Sequence, residues 1–191
     1  MNAGGSVNAD STVVVIGGSS GIGLAVARRS LADGATVVIA GRSQQRLDAA
    51  RAELAQTEVA RTEVARTELA RTELARTELA QTGPDAGRLR AHPADIGDLA
   101  QVTRLFERVG TLSHLVVTAA DLPYGPAVSL PEESIVRAVR SKIVGPLFAA
   151  QQAAPRITVP GSITFTSGVA ASRPAPGGAL FLPAGWPRAA C

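Results

Sequence analysis

The sequence predicts an α/β fold, a doubly wound parallel sheet of about five strands, on three observations. A β-branched run, Thr12 to Ile16, breaks into Gly17-Gly18-Ser19-Ser20-Gly21-Ile22-Gly23 and opens into a helical stretch, Leu24 to Ala32. Gly34 ends that helix, and a second buried-type strand, Ala35 to Ala40, completes a unit of βαβ length. Beyond it, strand-like and helix-like segments keep alternating as far as Ser167.

The first element pair also marks a place to hold a phosphate. Gly17 and Gly21 let the backbone turn tightly and approach a pyrophosphate, and Gly23 lets helix and strand pack closely. With Ser19, Ser20 and Ile22 they open a helix N-terminus whose free N–H groups carry partial positive charge. What ends the second strand decides the nucleotide. A site for NAD would place an acid on the ribose hydroxyls about twenty residues past the glycines. This chain has Gly41-Arg42-Ser43 there, and no acid adjoins Arg42 in sequence. A guanidinium forms charge-assisted bonds to a 2'-phosphate, so NADP (NADPH) is expected as cofactor, with NAD second.

The helix after the second strand is expected from Gln44 to Gln81, with Gly83-Pro84 stopping it. Its stretch Gln56 to Gln81 is a five-residue repeat: T-E-V-A-R twice, T-E-L-A-R twice, then T-E-L-A-Q. At about 100° per residue each repeat turns the apolar position by about 140°, so Val59, Val64, Leu69, Leu74 and Leu79 spiral round the helix and make no stripe. Abundant Ala and Leu and pairs such as Glu58 with Arg61 still favour helix. The expectation is a solvent-facing helix roughly 57 Å long. It reads as a neutral repeat insertion (56–81) within the domain, rather than a partner-binding arm or a second domain.

The remaining elements follow the same rhythm. Leu89 to Pro93 is a short third strand. Ile96 to Val109 is a helix with Leu99, Val102, Leu105 and Phe106 at helical spacing, and His114 to Thr118 is a fourth strand. Ser129 followed by Glu132 makes a capping-box pattern, with Pro131 in the first turn of a long helix to Ala153. Ile163 to Ser167 is the fifth strand. In a doubly wound, Rossmann-like sheet of order 3-2-1-4-5, ligands lie at the carboxyl ends of the strands, where the glycine loop, Arg42, Asp95, Thr118 and Ser167 all fall.

Composition fits one soluble domain. The chain has 191 residues, 46% of them hydrophobic, and no apolar run nears the roughly twenty residues of a membrane span. A cytoplasmic location without membrane association is expected. Residues 1–11 are small and polar and read as a flexible leader; 12–178 form the NAD(P)-binding domain, and 179–191 an atypical tail. The net charge of +3, with no basic run interleaved with aromatics, gives no indication of nucleic-acid binding. The lone cysteine, Cys191, excludes an internal disulfide, and no metal site is expected.

These motifs resemble the short-chain dehydrogenase/reductase family. The loop is similar to its T-G-x-x-x-G-I-G pattern, with Ile16 in place of Thr. Ala94-Asp95-Ile96 resembles the family's adenine-contacting aspartate segment, and Thr118-Ala119-Ala120 resembles the strand end N-A-G. Lys142-Ile143-Val144-Gly145 resembles N-V-x-G, and Gly161 to Gly168 the strand carrying the catalytic serine. The resemblance spans residues 12 to 178 and implies hydride transfer between nicotinamide and a small-molecule carbonyl or alcohol. It also implies a Tyr-x-x-x-Lys pair after the fifth strand, the lysine lowering the tyrosine's pKa.

That pair is absent from these residues. The one tyrosine is Tyr124, the one lysine Lys142, and Pro183, Gly185 and Pro187 break any helix after the fifth strand. Lys142 stands where the family commonly has asparagine, which makes it a candidate proton donor. Strict register sets Gly168 on the catalytic serine, so Ser167 is carried over as the nearest hydroxyl. Tyr124 reads as a loop aromatic, and His92 and His114 as structural. Two readings follow: an NADP-dependent oxidoreductase with a departed catalytic group, or a truncated NADP-binding protein without turnover. Relatives pair through the helix seen here as Glu132 to Ala153 and through a following helix absent from these residues, so a homo-oligomer with a weakened interface is expected.

Overall fold

The computed structural model describes residues 6–69 and 87–168, with side chains at all of these but 57–69 and 127. Five strands, β1 (Thr12–Ile16), β2 (Thr36–Gly41), β3 (Leu89–Pro93), β4 (Leu112–Val117) and β5 (Ile157–Phe165), form one sheet of order β3-β2-β1-β4-β5. Every pairing is parallel, as the alternation of elements predicts. Along β1 the residues alternate between the two faces. Val14 and Ile16 join a core with α3 (Leu99–Val109) and α5 (Gly145–Ala153), built around Leu105, Phe106 and Ala149. Val13 and Val15 join the opposite core with α1 (Gly21–Ala32) and α2 (Gln44–Leu69), built around Leu31, Leu47 and Leu54. Because β1 is covered on both faces, its sequence is an unbroken apolar run rather than an alternating one.

Helix α2 is packed only over its first turns. Leu47, Ala50 and Leu54, spaced three and four apart, are buried, while Arg51, Glu53 and Gln56 are exposed. The repeat is helical as far as Leu69, and its expected continuation to Gln81 lies outside the described residues. The N-terminal stretch expected to be flexible contains a closed turn. Ser11 N–H donates to Asn8 O at 3.0 Å, Ser11 Oγ to Asn8 Oδ1 at 2.9 Å, and Val7 packs on the α1/α2 core.

Three boundaries differ from expectation, each for a physical reason. Helix α3 begins at Leu99 rather than Ile96, because Asp98 is its cap: the carboxylate accepts from Ala100 N and Gln101 N. The hydrogen bond from the Gln101 backbone, with others, holds the Asp98 carboxyl below its usual pKa. Strand β5 runs Ile157–Phe165, not Ile163 to Ser167; Leu112 pairs Ile157 and His114 pairs Ser162, so a bulge absorbs the extra residues. Ser129 does not cap the long helix. It ends a 3₁₀ turn, Ala127–Ser129, its hydroxyl donating to Pro126 O, and extended Leu130 and Pro131 carry the chain away before α4 (Glu132–Val139) starts. The long helix is continuous to Ala153 but contains a π-helical segment, Arg140–Val144, between α4 and α5.

Both histidines lie in strands, His92 in β3 and His114 in β4, outside the lining of the cleft described below. His114 is buried in β4 and shares a 2.9 Å hydrogen bond between Nδ1 and Ser162 Oγ. Burial lowers its pKa below 6.5. The pKa of His92 is also lowered, first by burial and then by the charges of Arg108 and Arg90. A histidine kept neutral in the fold binds a proton more readily in the unfolded chain. Its stabilising contribution is therefore complete above the unfolded pKa of about 6.5 and is lost as pH falls toward the folded value. The Asp98 contribution has the same sign but is lost only as pH falls below the ordinary value of 3.8. We expect the melting temperature to fall between about pH 7 and pH 5, and to fall less steeply in His114→Gln. Identical slopes in thermal scans of the two proteins would refute a role for His114.

Candidate functional site

A cleft of about 400 Å³ lies at the carboxyl ends of β1, β2, β3 and β4. Its floor is the glycine loop. Gly17 N–H donates to Ala40 O at 2.7 Å, joining the loop to β2, and Thr118 Oγ1 donates to Gly17 O at 3.2 Å, joining it to the end of β4. Gly17 has φ +97° and Gly21 φ +54°, backbone that L side chains rarely adopt. The space is as restrictive as the dihedrals. A Cβ on Gly17 would meet Thr118 Oγ1 at 2.4 Å, and one on Gly23 would meet Gly17 O at 2.2 Å. At Gly21 a Cβ would meet nothing within 4 Å, so this glycine serves the turn rather than the packing.

Helix α1 leaves this loop without a side-chain cap at Ser20 and without an acid in its first turn. Its first N–H groups and the positive end of its dipole are thus available at the cleft, which Ser19, Ser20, Ile22 and Gly23 line. Further round, Ala94, Asp95 and Ile96 contribute from the end of β3. Asp95 Oδ1 accepts from Gly97 N at 2.8 Å and its own N–H donates to Gln101 Oε1 at 3.0 Å, so the carboxylate is fixed by its loop. Gly145 explains part of this wall. A Cβ there would stand 2.2 Å from Ile96 O, so only glycine lets α5 sit against the β3 loop.

All of the expected cofactor residues line the cleft except Gly21 and Ser43. Ser43 is engaged elsewhere: its hydroxyl accepts from Arg46 N at 3.3 Å and caps α2. Among the lining residues to which the sequence reading gave no role are Arg46, Asp121, Ser141 and Thr166. Arg46 stands four residues past Arg42 in the first turn of α2, a spacing that was readable. Asp121 was not readable. No acid adjoins Arg42 along the chain, yet in space Asp121 Oδ2 lies 2.5 Å from Arg42 Nη1, across a separation of 79 residues. Arg137 Nε reaches the same oxygen at 3.3 Å.

The expected catalytic residues are not brought together at the cleft. Lys142, in the π-helical segment, donates from Nζ to Thr166 O at 2.7 Å and lines a separate hollow with Phe165 and Leu147. Ser167 is exposed and outside the cleft lining. Thr166, one residue before it, does line the cleft, its hydroxyl donating to Val117 O at 3.3 Å. Tyr124 is exposed in the loop after β4. Among the described residues there is no cluster of metal-ligating side chains, and no helix is long and apolar enough to cross a membrane.

Known proteins share this fold. Residues 11–77 match the family model described as short chain dehydrogenase. The chain is 28% identical over 174 residues to the short-chain dehydrogenase/reductase ucsE of Acremonium sp., covering 85% of this chain and 58% of that one. A solved short-chain type dehydrogenase/reductase from Mycobacterium ulcerans is 26% identical, with a TM-score of 0.69 over 91% of this chain and 57% of its own. The fold is also that of an NADPH-bound short chain oxidoreductase from Pseudomonas aeruginosa PAO1 with an atypical catalytic centre. There the TM-score is 0.71 at 24% identity, over 91% of this chain and 60% of that one. The chain therefore spans about three-fifths of the length of these relatives.

Proposed function

The chain belongs to the short-chain dehydrogenase/reductase family, and from that premise we propose that its cleft binds NADP(H) for hydride transfer with a carbonyl or alcohol substrate. The observation that carries the proposal is the cleft itself. An uncapped helix N-terminus and a glycine-rich turn line it together with two arginines, Arg42 and Arg46. The residues present fit such a nucleotide: with no Cβ at Gly17 and Gly23 the turn packs directly against Thr118 and the start of α1, and the uncapped N–H groups of that helix are left to take a diphosphate.

When bound, the nicotinamide nucleotide supplies or accepts the hydride. The chain's own residues bind and orient. Amides at the start of α1 take the diphosphate, Thr118 fixes Gly17 beneath it, and Asp95 with Ile96 takes the adenine end. Arg42 and Arg46 take the 2'-phosphate, with charge-assisted bonds that a ribose hydroxyl does not offer. Lys142 Nζ is the proposed proton-holding group, kept at the end of β5 by Thr166 O, and Ser167 the proposed substrate-orienting hydroxyl. Calorimetry tests the cofactor choice. Arg42→Ala is expected to weaken NADP binding by about ten- to a hundredfold while leaving NAD within about twofold, since it removes a charged hydrogen bond worth about 1.5–3 kcal/mol. Equal weakening of both would reject the assignment.

A second reading has its own observation: the single tyrosine and single lysine lie eighteen residues apart in sequence, so the family's proton-handling pair is not within these residues. On that reading the chain binds NADP without turnover. Loss of NADPH absorbance with a panel of ketones, quinones and aldehydes separates the two, and turnover abolished by Lys142→Ala or Ser167→Ala excludes the binding-only reading. We place the protein in the cytoplasm, which cell fractionation tests. We also propose weak self-association through the half-exposed apolar face of the long helix, Ile135, Val139, Ile143 and Leu147. Light scattering is expected to show mass rising with concentration, and a stable tetramer at all concentrations would contradict it.

A further inference from the structure

We infer that Asp121 sets the cofactor preference of the cleft by competing with the 2'-phosphate for Arg42. This rests on the reading of the cleft as a nicotinamide-nucleotide site and adds a residue that the reading does not use. Asp121 lines the cleft immediately after the Thr118-Ala119-Ala120 strand end. Its Oδ2 takes one N–H of Arg42 at 2.5 Å and also lies 3.3 Å from Arg137 Nε. The phosphate and Asp121 are both anions, and both are best served by the same guanidinium. Phosphate binding must therefore either draw Arg42 away from the carboxylate or leave two anions sharing one cation, and each lowers the gain from the 2'-phosphate. A ribose 2'-hydroxyl carries no charge and pays neither penalty. Arg137 is the reason the arrangement is not prohibitive: it remains beside Asp121 when Arg42 turns to the ligand, so the carboxylate keeps a counter-charge.

The backbone of Asp121 is held independently of its side chain. Its N–H donates to Ser141 Oγ at 2.9 Å, and its carbonyl accepts from the same hydroxyl at 3.3 Å. The Arg42–Asp121 pair is half-exposed, so the competition is of modest size. Replacing the carboxylate by a neutral isostere should thus leave the loop in place and free Arg42.

The test is calorimetric titration of the full chain with NADP+ and with NAD+, in Asp121→Asn and in Asp121→Ser. We expect NADP+ affinity to rise roughly fivefold in both variants with NAD+ unchanged, and the gain to shrink as salt is added. In the Arg42→Ala background the same substitutions should give no gain, because the competition has lost its object. Thermal unfolding of each variant confirms that the fold is retained. An equal change for both nucleotides, no change, or a loss of NADP+ affinity would overturn the inference while leaving the cleft as a nucleotide site. The absence of heat with either nucleotide in every protein would overturn the site reading and the inference with it.

Discussion

Gly23→Ala is expected to lower NADP(H) affinity by about a hundredfold or more. The added Cβ would fall 2.2 Å from Gly17 O and 2.6 Å from Thr118 Oγ1, and the first of these is backbone that cannot swing aside as a side-chain end would. Either α1 moves away from β1, taking its N–H groups off the diphosphate, or Gly17 moves and breaks its bonds to Ala40 and Thr118. The overpacking should also cost about 1–3 kcal/mol of stability. Gly21→Ala is the informative control. Nothing stands within 4 Å of its Cβ, so only the φ of +54° resists it, a cost of about 1–2 kcal/mol without steric displacement of the helix. Titration calorimetry alongside thermal unfolding reads both. If Gly23→Ala binds NADP(H) as tightly as the parent, the diphosphate is not held by this turn.

Phe106→Ala should be the most destabilising core substitution, by about 3–5 kcal/mol. Phe106 is fully buried on α3 and sits in the same cluster as Val102, Leu105, Leu112, Leu115 and Ala149. These residues join α3 and α5 to the face of the sheet that carries β4. Since a domain of this kind is stable by only about 5–15 kcal/mol, the loss removes a large share of the whole. Urea unfolding should show a lower midpoint with little change in slope. A shift below about 1 kcal/mol would mean that this face of the sheet is not the tightly packed layer described above.

These two sites show how unevenly the molecule was readable. Both positions stand out in the sequence: Gly23 closes a glycine pattern between a strand and a helix, and Phe106 falls on the apolar face of a helix whose spacing is plain. The parallel pairing of the strands likewise follows from the alternation of strands and helices. The ends of elements were harder. Ser129 with Glu132 makes a capping-box pattern in the sequence, yet extended Leu130 and Pro131 keep it off the helix, whereas Asp98, inside the stretch expected to be helical, has its side chain within reach of free helical amides. The start of β5 was hidden because the bulge opposite Leu112 and His114 shifts the register, and a bulge depends on the partner strand.

Local order was determined by the sequence alone: which segments become strands and helices, where the turn must be glycine, and where a guanidinium falls at the end of β2. Each of these depends on neighbours a few residues away, so periodicity and backbone sterics are enough to specify it. Only the tertiary structure decided which charges meet. Arg42 and Asp121 are 79 residues apart and belong to different βα units, joined because β1 lies between β2 and β4 in the sheet and brings their ends to one cleft. The same convergence ties Lys142 to Thr166, 24 residues away, and sets Thr166 rather than Ser167 in the cleft wall. A side chain's electrostatic partners are fixed by strand order and by the direction each strand end faces, which no local pattern encodes.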